Sequence, residues 1–248
     1  GVFLAGPALA GTCTSAATGN WNTAATWTGC GGTGLPGNND SVVIAATHTV
    51  TLNVNSANIT NVTINANGIL QGDNTGKVLT VGSGGGGTLT VNGTLNFSAG
   101  TSATLTLGRN SQWAGAGTWN FSVLDINSRT LTFTAGTTAT LNFSGAAAPI
   151  AVTTGTVTSL STITWNFTGA VAQTLPTSTN VIYGAITANN GAGVTLGVGL
   201  TATTILGNLT AQTGIFNNGG FAITLAAARN FAVQGSSTFN LTGTSTMV

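Results

Sequence analysis

A five-residue pattern of alternating polar and apolar residues recurs along the chain. In each copy a polar residue precedes an apolar one, this pair repeats, and a small polar residue closes the pattern. The four clearest copies are 94–98, 118–122, 140–144 and 164–168, which begin 22 to 24 residues apart. Because successive side chains of a β-strand point to opposite faces, the pattern predicts strands with one apolar and one polar face.

The regular return of this pattern predicts stacked repeats, since a fixed period of about 20–50 residues is typical of them. Each period has room for two or three short strands joined by Gly, Asn and Ser turns. The predicted fold class is all-β: a parallel β-helix (β-solenoid) of about nine coils, with an N-terminal disulfide-pinned cap. We expect a core of inward-facing rung residues: Leu95, Phe97, Trp119, Phe121, Leu141, Phe143, Trp165 and Phe167. A β-sandwich or jelly roll also has short strands, but does not require the same pattern to return.

The outward positions of the same strands are mostly Thr and Asn. We expect the asparagines to form ladders between coils, each side-chain amide bonding the next. Many of them also fall in Asn-x-Ser/Thr sequons, which we interpret as a by-product of the strand pattern.

The composition supports a β-structure and restricts the chemistry. The chain has no Glu, one Lys and one Met, but 37 Gly, which is typical of strands with frequent turns. Only 3% of its 248 residues are charged, four basic and three acidic. Paired-carboxylate hydrolysis, general acid–base catalysis and metal cages all need clustered ionisable groups. We therefore expect no enzyme activity, no cofactor and no metal site.

The same counts argue against two classes of partner. Four scattered basic residues make no electrostatic footprint for nucleic acid. No stretch approaches the roughly 18 apolar residues of a transmembrane helix, so no membrane span is expected.

The segment Gly82–Gly87 formally satisfies a dinucleotide-binding motif, but a strand rather than a helix follows it, and we interpret it as a turn. His48 is expected to be an outward-facing strand residue.

The N-terminal region predicts export and a cap. Residues 1–10 are apolar and end in a small-x-small pattern, so they are either the tail of a signal peptide or a retained donor strand. Cys13 and Cys30 are the only cysteines, and we expect them to form a disulfide in an oxidising compartment, with free thiols as the alternative. We divide the chain into this segment (1–10), a cap (11–40) and a solenoid (41–248).

Residues 19–52 differ from the repeat. They read Gly19-Asn20-Trp21-Asn22, then Thr26-Trp27, then Leu35–Asp40, Val42–Ile44 and His48–Val50. This order resembles the G8-like opening segment of secreted bacterial β-solenoid surface proteins, in which such a segment begins a right-handed parallel β-helix. As a cap, Trp21 and Trp27 would cover the apolar end of the first coil, and Asp40 would accept hydrogen bonds from turn amides.

The predicted fold suggests a structural function. A solenoid ends in strand edges that recruit another strand unless they are blocked, and heterologous contacts that do not close generate filaments. We therefore expect a secreted, cell-surface subunit of an extracellular filament or surface fibre, a head-to-tail homopolymer of copies of this chain. The expected assembly residues are Val2, Phe3, Leu4, Leu9, Phe231, Phe239 and Leu241.

Two other functions remain open. The first is the stalk or passenger domain of a cell-surface adhesin, with surface glycans as possible partners. The second is an ice-binding protein, which requires pairs of outward Thr on one face at every coil. The pairs considered are Thr88/Thr90, Thr104/Thr106, Thr130/Thr132 and Thr138/Thr140.

Overall fold

Short parallel strands stack into a β-solenoid in the computed structural model, which describes residues 10–98, 103–145 and 147–242. Along most of the stack, hydrogen-bonded neighbours are three strands apart in the sequence, so each of these turns contributes one strand to each of three sides. In the last turns one side is reduced to the isolated bridges Tyr183–Ile205 and Leu200–Ile223. The stack has about eight turns, close to the number predicted from the period. The predicted all-β parallel solenoid is confirmed.

Two of the sheets, called A and B, run along most of the solenoid. Sheet A consists of Trp27–Thr28, Thr12–Ser15, Ser41–Ile44, Asn61–Ile64, Gly87–Val91, Ser111–Ala114, Thr130–Phe133, Thr156–Thr158 and Val181–Ile182. Sheet B consists of Gly19–Asn20, Thr49–Leu52, Ile69–Gly72, Thr94–Phe97, Thr118–Phe121, Ala139–Phe143, Ile163–Phe167, Ala185–Asn189, Leu209–Thr213 and Phe231–Val233.

The third side is divided between two shorter sheets, C and D. Sheet C consists of Asn58–Ile59, Val78–Val81, Thr104–Leu107, Val123–Asn127 and Ile150–Val152. Sheet D consists of Gln173–Thr174, Val194–Thr195, Ile215–Asn217 and Thr238–Asn240. A single 3-10 turn, Ala24–Thr26, is the helical element of the described residues.

The inward-facing apolar side chains of the four sheets form one continuous core. The eight predicted rung residues are each 0% exposed, as an inward position requires. Strand alternation repeats in register from turn to turn, so like side chains stack. The rings of Phe121 and Phe143 lie 5.4 Å apart and those of Phe143 and Phe167 5.3 Å apart, both in stacked geometry. Such aromatic pairs add about 0.5–1.5 kcal/mol beyond the burial of area.

The first turn of the solenoid begins inside the segment that the sequence assigns to a cap. Thr12–Ser15 pairs in parallel with Ser41–Ile44, and Gly19–Asn20 with Thr49–Leu52. Trp27–Thr28 then pairs antiparallel to Thr12–Ser15 and occupies its outer edge. Residues 12–20 therefore contribute strands to the stack, and the capping element is the chain that folds back after them.

Candidate functional site

The N-terminal end of the solenoid is closed by its own chain. Trp21 and Trp27 are 2% and 6% exposed, and their rings meet edge to face at 5.2 Å. The indole Nε1 of Trp27 donates a hydrogen bond to the backbone oxygen of Trp21 at 2.8 Å. The predicted disulfide joins Cys13 in the first strand to Cys30 in the returning segment. Together these contacts hold the returning chain over the first turn.

Asp40 ties the start of the described chain to the second turn. Its carboxylate accepts hydrogen bonds from the backbone amides of Gly11 at 2.7 Å and Gly37 at 2.8 Å, and the residue is 5% exposed. Charge-assisted bonds of this kind offset the cost of burying a carboxylate. Asp40 is thus a structural residue, in the role that the sequence predicts.

His48 does not occupy the position expected from the sequence. It lies in the turn before the strand Thr49–Leu52 rather than within it, and it is partly buried. Its Nδ1 lies 3.0 Å from both the hydroxyl and the backbone oxygen of Ser15. The expectation of an outward-facing strand residue is wrong because the turn directs the imidazole back onto the preceding coil.

The last described turn presents inward-facing apolar side chains that nothing in the described residues covers. Val233 and Leu241 are both 49% exposed, and Phe231 and Phe239 are only partly buried. Among the described strands, Phe231–Val233 pairs only with Leu209–Thr213, and Thr238–Asn240 only with Ile215–Asn217. One turn earlier the corresponding residues are fully enclosed: Leu209 is 0%, Ala211 1% and Phe216 0% exposed.

The predicted assembly residues fall into two groups. Phe231, Phe239 and Leu241 lie at this open turn. Val2, Phe3, Leu4 and Leu9 lie outside the described residues. Sequence reasoning missed Val233, although its place two residues after Phe231 puts it on the same inward face.

The outer face of sheet B carries an asparagine ladder, defined as Asn96, Asn120, Asn142 and Asn166, which occupy one row in consecutive turns. The Nδ2 of Asn142 donates to the Oδ1 of Asn120 at 3.0 Å, and the Nδ2 of Asn166 to the Oδ1 of Asn142 at 2.9 Å. The predicted ladder is confirmed by these bonds. Its last acceptor, the Oδ1 of Asn166, is buried without a partner among the described residues, because Thr187 occupies the next turn.

The threonine pairs required for ice binding lie on different faces. Thr88/Thr90 and Thr130/Thr132 belong to sheet A, and the turn between them carries Gln112 in the same row. Thr104/Thr106 belongs to sheet C, whereas Thr140 belongs to sheet B. The pairs therefore do not form one regular array. The alternation of the sequence could not predict this, because it does not reveal which strands share a side.

Ionisable groups are sparse in the sequence, with four basic residues, three acidic residues and one His. Within the described ranges, no group of three or more His, Cys, Asp or Glu side chains is arranged to hold a metal ion. A hydrogen bond from the Thr75 hydroxyl lowers the pKa of Asp73 below its usual value. Burial raises the pKa of Tyr183 far above its ordinary value, so the phenol stays neutral, and its hydroxyl has no hydrogen-bond partner among the described residues.

The fold and its two ends define the class of this protein: a three-sided parallel β-solenoid with a disulfide at its closed N-terminal end. Comparison with family models, curated proteins and solved structures gives no match for this chain. The resemblance of residues 19–52 to a G8-like segment therefore stays a prediction. No helix among the described residues is long and apolar enough to span a membrane.

Proposed function

We propose that this protein is a structural subunit of an extracellular filament or surface fibre that joins end to end through its C-terminal turn. The observation that supports the proposal most directly is the contrast between the last two described turns. Phe231, Val233 and Leu241 face the interior axis, yet they are exposed or only partly buried, whereas Leu209 and Phe216 one turn earlier are fully buried. A further strand laid on this turn would enclose them.

The proposed occupant is an apolar strand from a second copy of the chain. The N-terminal end is closed by Trp21 and Trp27, so direct stacking of one solenoid on the next would first have to displace this cap. Residues 1–10, which are apolar in sequence, are the segment that we propose as the donated strand. Addition of such a strand to a free edge uses main-chain hydrogen bonds for affinity and alternate side chains for specificity.

The disulfide and the neutral surface are consistent with this role outside the cell. Disulfides persist mainly in oxidising compartments, and Cys13 and Cys30 are bonded to each other. With 3% charged residues, neighbouring fibres would experience little electrostatic repulsion. The protein is proposed to act without enzymatic activity or a cofactor.

The test is negative-stain electron microscopy and light scattering of the purified chain over a range of concentrations. Val233→Lys places a charge at the open turn and is expected to prevent assembly. Val171→Lys is the matched control, because Val171 is equally exposed at 50% but lies on a loop three turns away. Deletion of residues 1–10 should also abolish assembly and should leave the melting temperature of the monomer unchanged.

Strictly monomeric particles at high concentration would contradict the filament proposal. Equal loss of assembly in the Val171 and Val233 variants would contradict the proposed site. The second candidate is the stalk of a cell-surface adhesin, since the open turn would also suit continuation of the stack. A monomer whose melting temperature rises when further solenoid turns are fused after residue 248 would favour the stalk.

A further inference from the structure

Two of the four basic residues lie in consecutive turns at one corner of the solenoid. Arg109 lies between the strands Thr104–Leu107 of sheet C and Ser111–Ala114 of sheet A. Arg129 occupies the equivalent corner one turn later, between Val123–Asn127 and Thr130–Phe133. Both side chains line one cleft with a volume of about 430 Å³.

The other wall of this cleft is polar and formed by earlier turns. The side chains of Asn38, Asn39, Asn58 and Ser83 line it, and no carboxylate does. The hydroxyl of Ser83 donates to the Oδ1 of Asn39 and lies 3.0 Å from the hydroxyl of Thr60. The Oδ1 of Asn38 accepts from the backbone amide of Asn58 at 3.0 Å. These bonds, made across coils, position the wall before any ligand arrives.

Two glycines let the arginine turn pack closely against the turn before it. A Cβ on Gly108 would lie 2.5 Å from the backbone oxygen of Gly82. A Cβ on Gly82, where φ is +101°, would lie 2.8 Å from the backbone nitrogen of Arg109. Real Cβ atoms do not come this close to backbone, so the corner requires glycine at both positions. The backbone that carries Arg109 is therefore held directly above the polar wall.

Both guanidinium groups lack a partner in the parts of the chain that the structure describes. Arg129 makes backbone hydrogen bonds with Ile126 and Thr156, but neither its guanidinium group nor that of Arg109 makes a hydrogen bond or an ion pair there. The nearby carboxylates are engaged elsewhere, since Asp40 accepts from the amides of Gly11 and Gly37, and Asp125 accepts from that of Asn127. Two unneutralised positive charges thus face one cleft in a chain that has few charges.

We propose that this cleft binds a sugar residue that carries an oxyanion, within an acidic polysaccharide. Guanidinium groups bind carboxylate and sulfate through paired, charge-assisted hydrogen bonds. The amides of the asparagines and the Ser83 hydroxyl supply donors and acceptors for sugar hydroxyls. The cleft is also larger than one small anion requires and falls within the size range of ligand pockets. This binding is independent of the proposed filament assembly.

Isothermal titration calorimetry of the full chain at low ionic strength tests the proposal. The probes are trigalacturonic acid, which carries carboxylates, a heparin-derived tetrasaccharide, which carries sulfates, neutral maltotriose and inorganic sulfate. At least one acidic oligosaccharide is expected to bind more tightly than inorganic sulfate, and maltotriose is expected to bind weakly or not at all. Loss of a hydrogen bond to a charged group corresponds to about a tenfold or larger increase in Kd.

Arg109→Gln and Arg129→Gln should each cause that increase. Lys77→Gln and Arg229→Gln remove the same charge elsewhere and should change the Kd less than about twofold. Unchanged melting temperatures would establish that all four variants are folded. The proposal is overturned if neither acidic oligosaccharide binds, if inorganic sulfate binds as tightly as both of them, or if the control variants weaken binding equally.

Discussion

Replacing Thr187 by Asn should extend the asparagine ladder by one turn and stabilise the protein. Thr187 is directly opposite Asn166 in the parallel register of sheet B. In the two preceding steps, the Nδ2 of each asparagine donates to the Oδ1 of the one before it. The Oδ1 of Asn166 is buried and has no hydrogen-bond partner in the described part of the chain. An asparagine at position 187 would place its Nδ2 in the corresponding position to donate to this oxygen.

The size of the effect follows from the cost of the unpartnered acceptor. A buried polar atom without a hydrogen bond costs about 1–3 kcal/mol. The lower strand propensity of Asn reduces this gain in stability, because Thr is a better strand former and the measured scale of strand propensities spans about 1 kcal/mol. Thr210→Asn is the matched control, because it makes the same substitution in the same row one turn later, opposite Thr187. We expect Thr187→Asn to be more stable than this control by about 1 kcal/mol.

Equilibrium urea unfolding and thermal melting of both variants measure this difference. For a chain of this size, 1 kcal/mol corresponds to a shift of roughly 2–4 °C in the melting temperature. The double variant Thr187→Asn/Thr210→Asn should be more stable than the sum of the single effects predicts, because the second amide would then find a partner. If Thr187→Asn is no more stable than Thr210→Asn, the ladder does not contribute through side-chain hydrogen bonds.

Three further predictions concern the cap, a corner and the core. Cys13→Ser should lower the free energy of unfolding by about 3 kcal/mol by the chain-entropy model, and dithiothreitol should have this effect on the wild type but not on the variant. Gly115→Ala should lower the melting temperature, because φ is +106° there and a Cβ would lie 2.1 Å from a backbone oxygen. Gly85→Ala is the control and should leave the melting temperature unchanged, because a Cβ there would meet nothing within 4 Å. Equal melting temperatures of the two variants would contradict this prediction. Phe143→Ala should cost about 3–5 kcal/mol in urea unfolding, and a loss below 1 kcal/mol would show that the stacked rings do not support the core.

Sequence reasoning succeeded where the information is local. The alternation around Phe97 and Phe121 predicts which side chains point inward, and both are fully buried. It was less successful at corners. His48 continues an alternating pattern in the sequence but lies in a turn and contacts Ser15. Nothing in the strand pattern signals where a turn directs its side chains, because this depends on the backbone angles of a few residues between strands.

The candidate sites show the same difference between positions on strands, which the sequence predicts, and positions at corners, which it does not. The open C-terminal turn was expected from the apolar residues Phe231 and Phe239. The cleft at Arg109 and Arg129 was not expected, although the two arginines precede sheet A strands in consecutive turns and lie 20 residues apart. A basic residue in a turn is an ordinary surface feature until the neighbouring turns are known.

The sequence by itself determined that the chain is all-β, that its repeats stack in parallel, which residues fill the core, and that asparagines form a ladder. These properties follow from strand alternation and from a constant period, which act on neighbouring residues and on like positions of successive turns. Only the tertiary structure decided that the solenoid has three sides, that the threonine pairs belong to different sheets, and that Asn38, Asn58, Arg109 and Arg129 line one cleft. The physical reason is that turn geometry and stacking register, rather than residue pattern, bring distant segments to one corner.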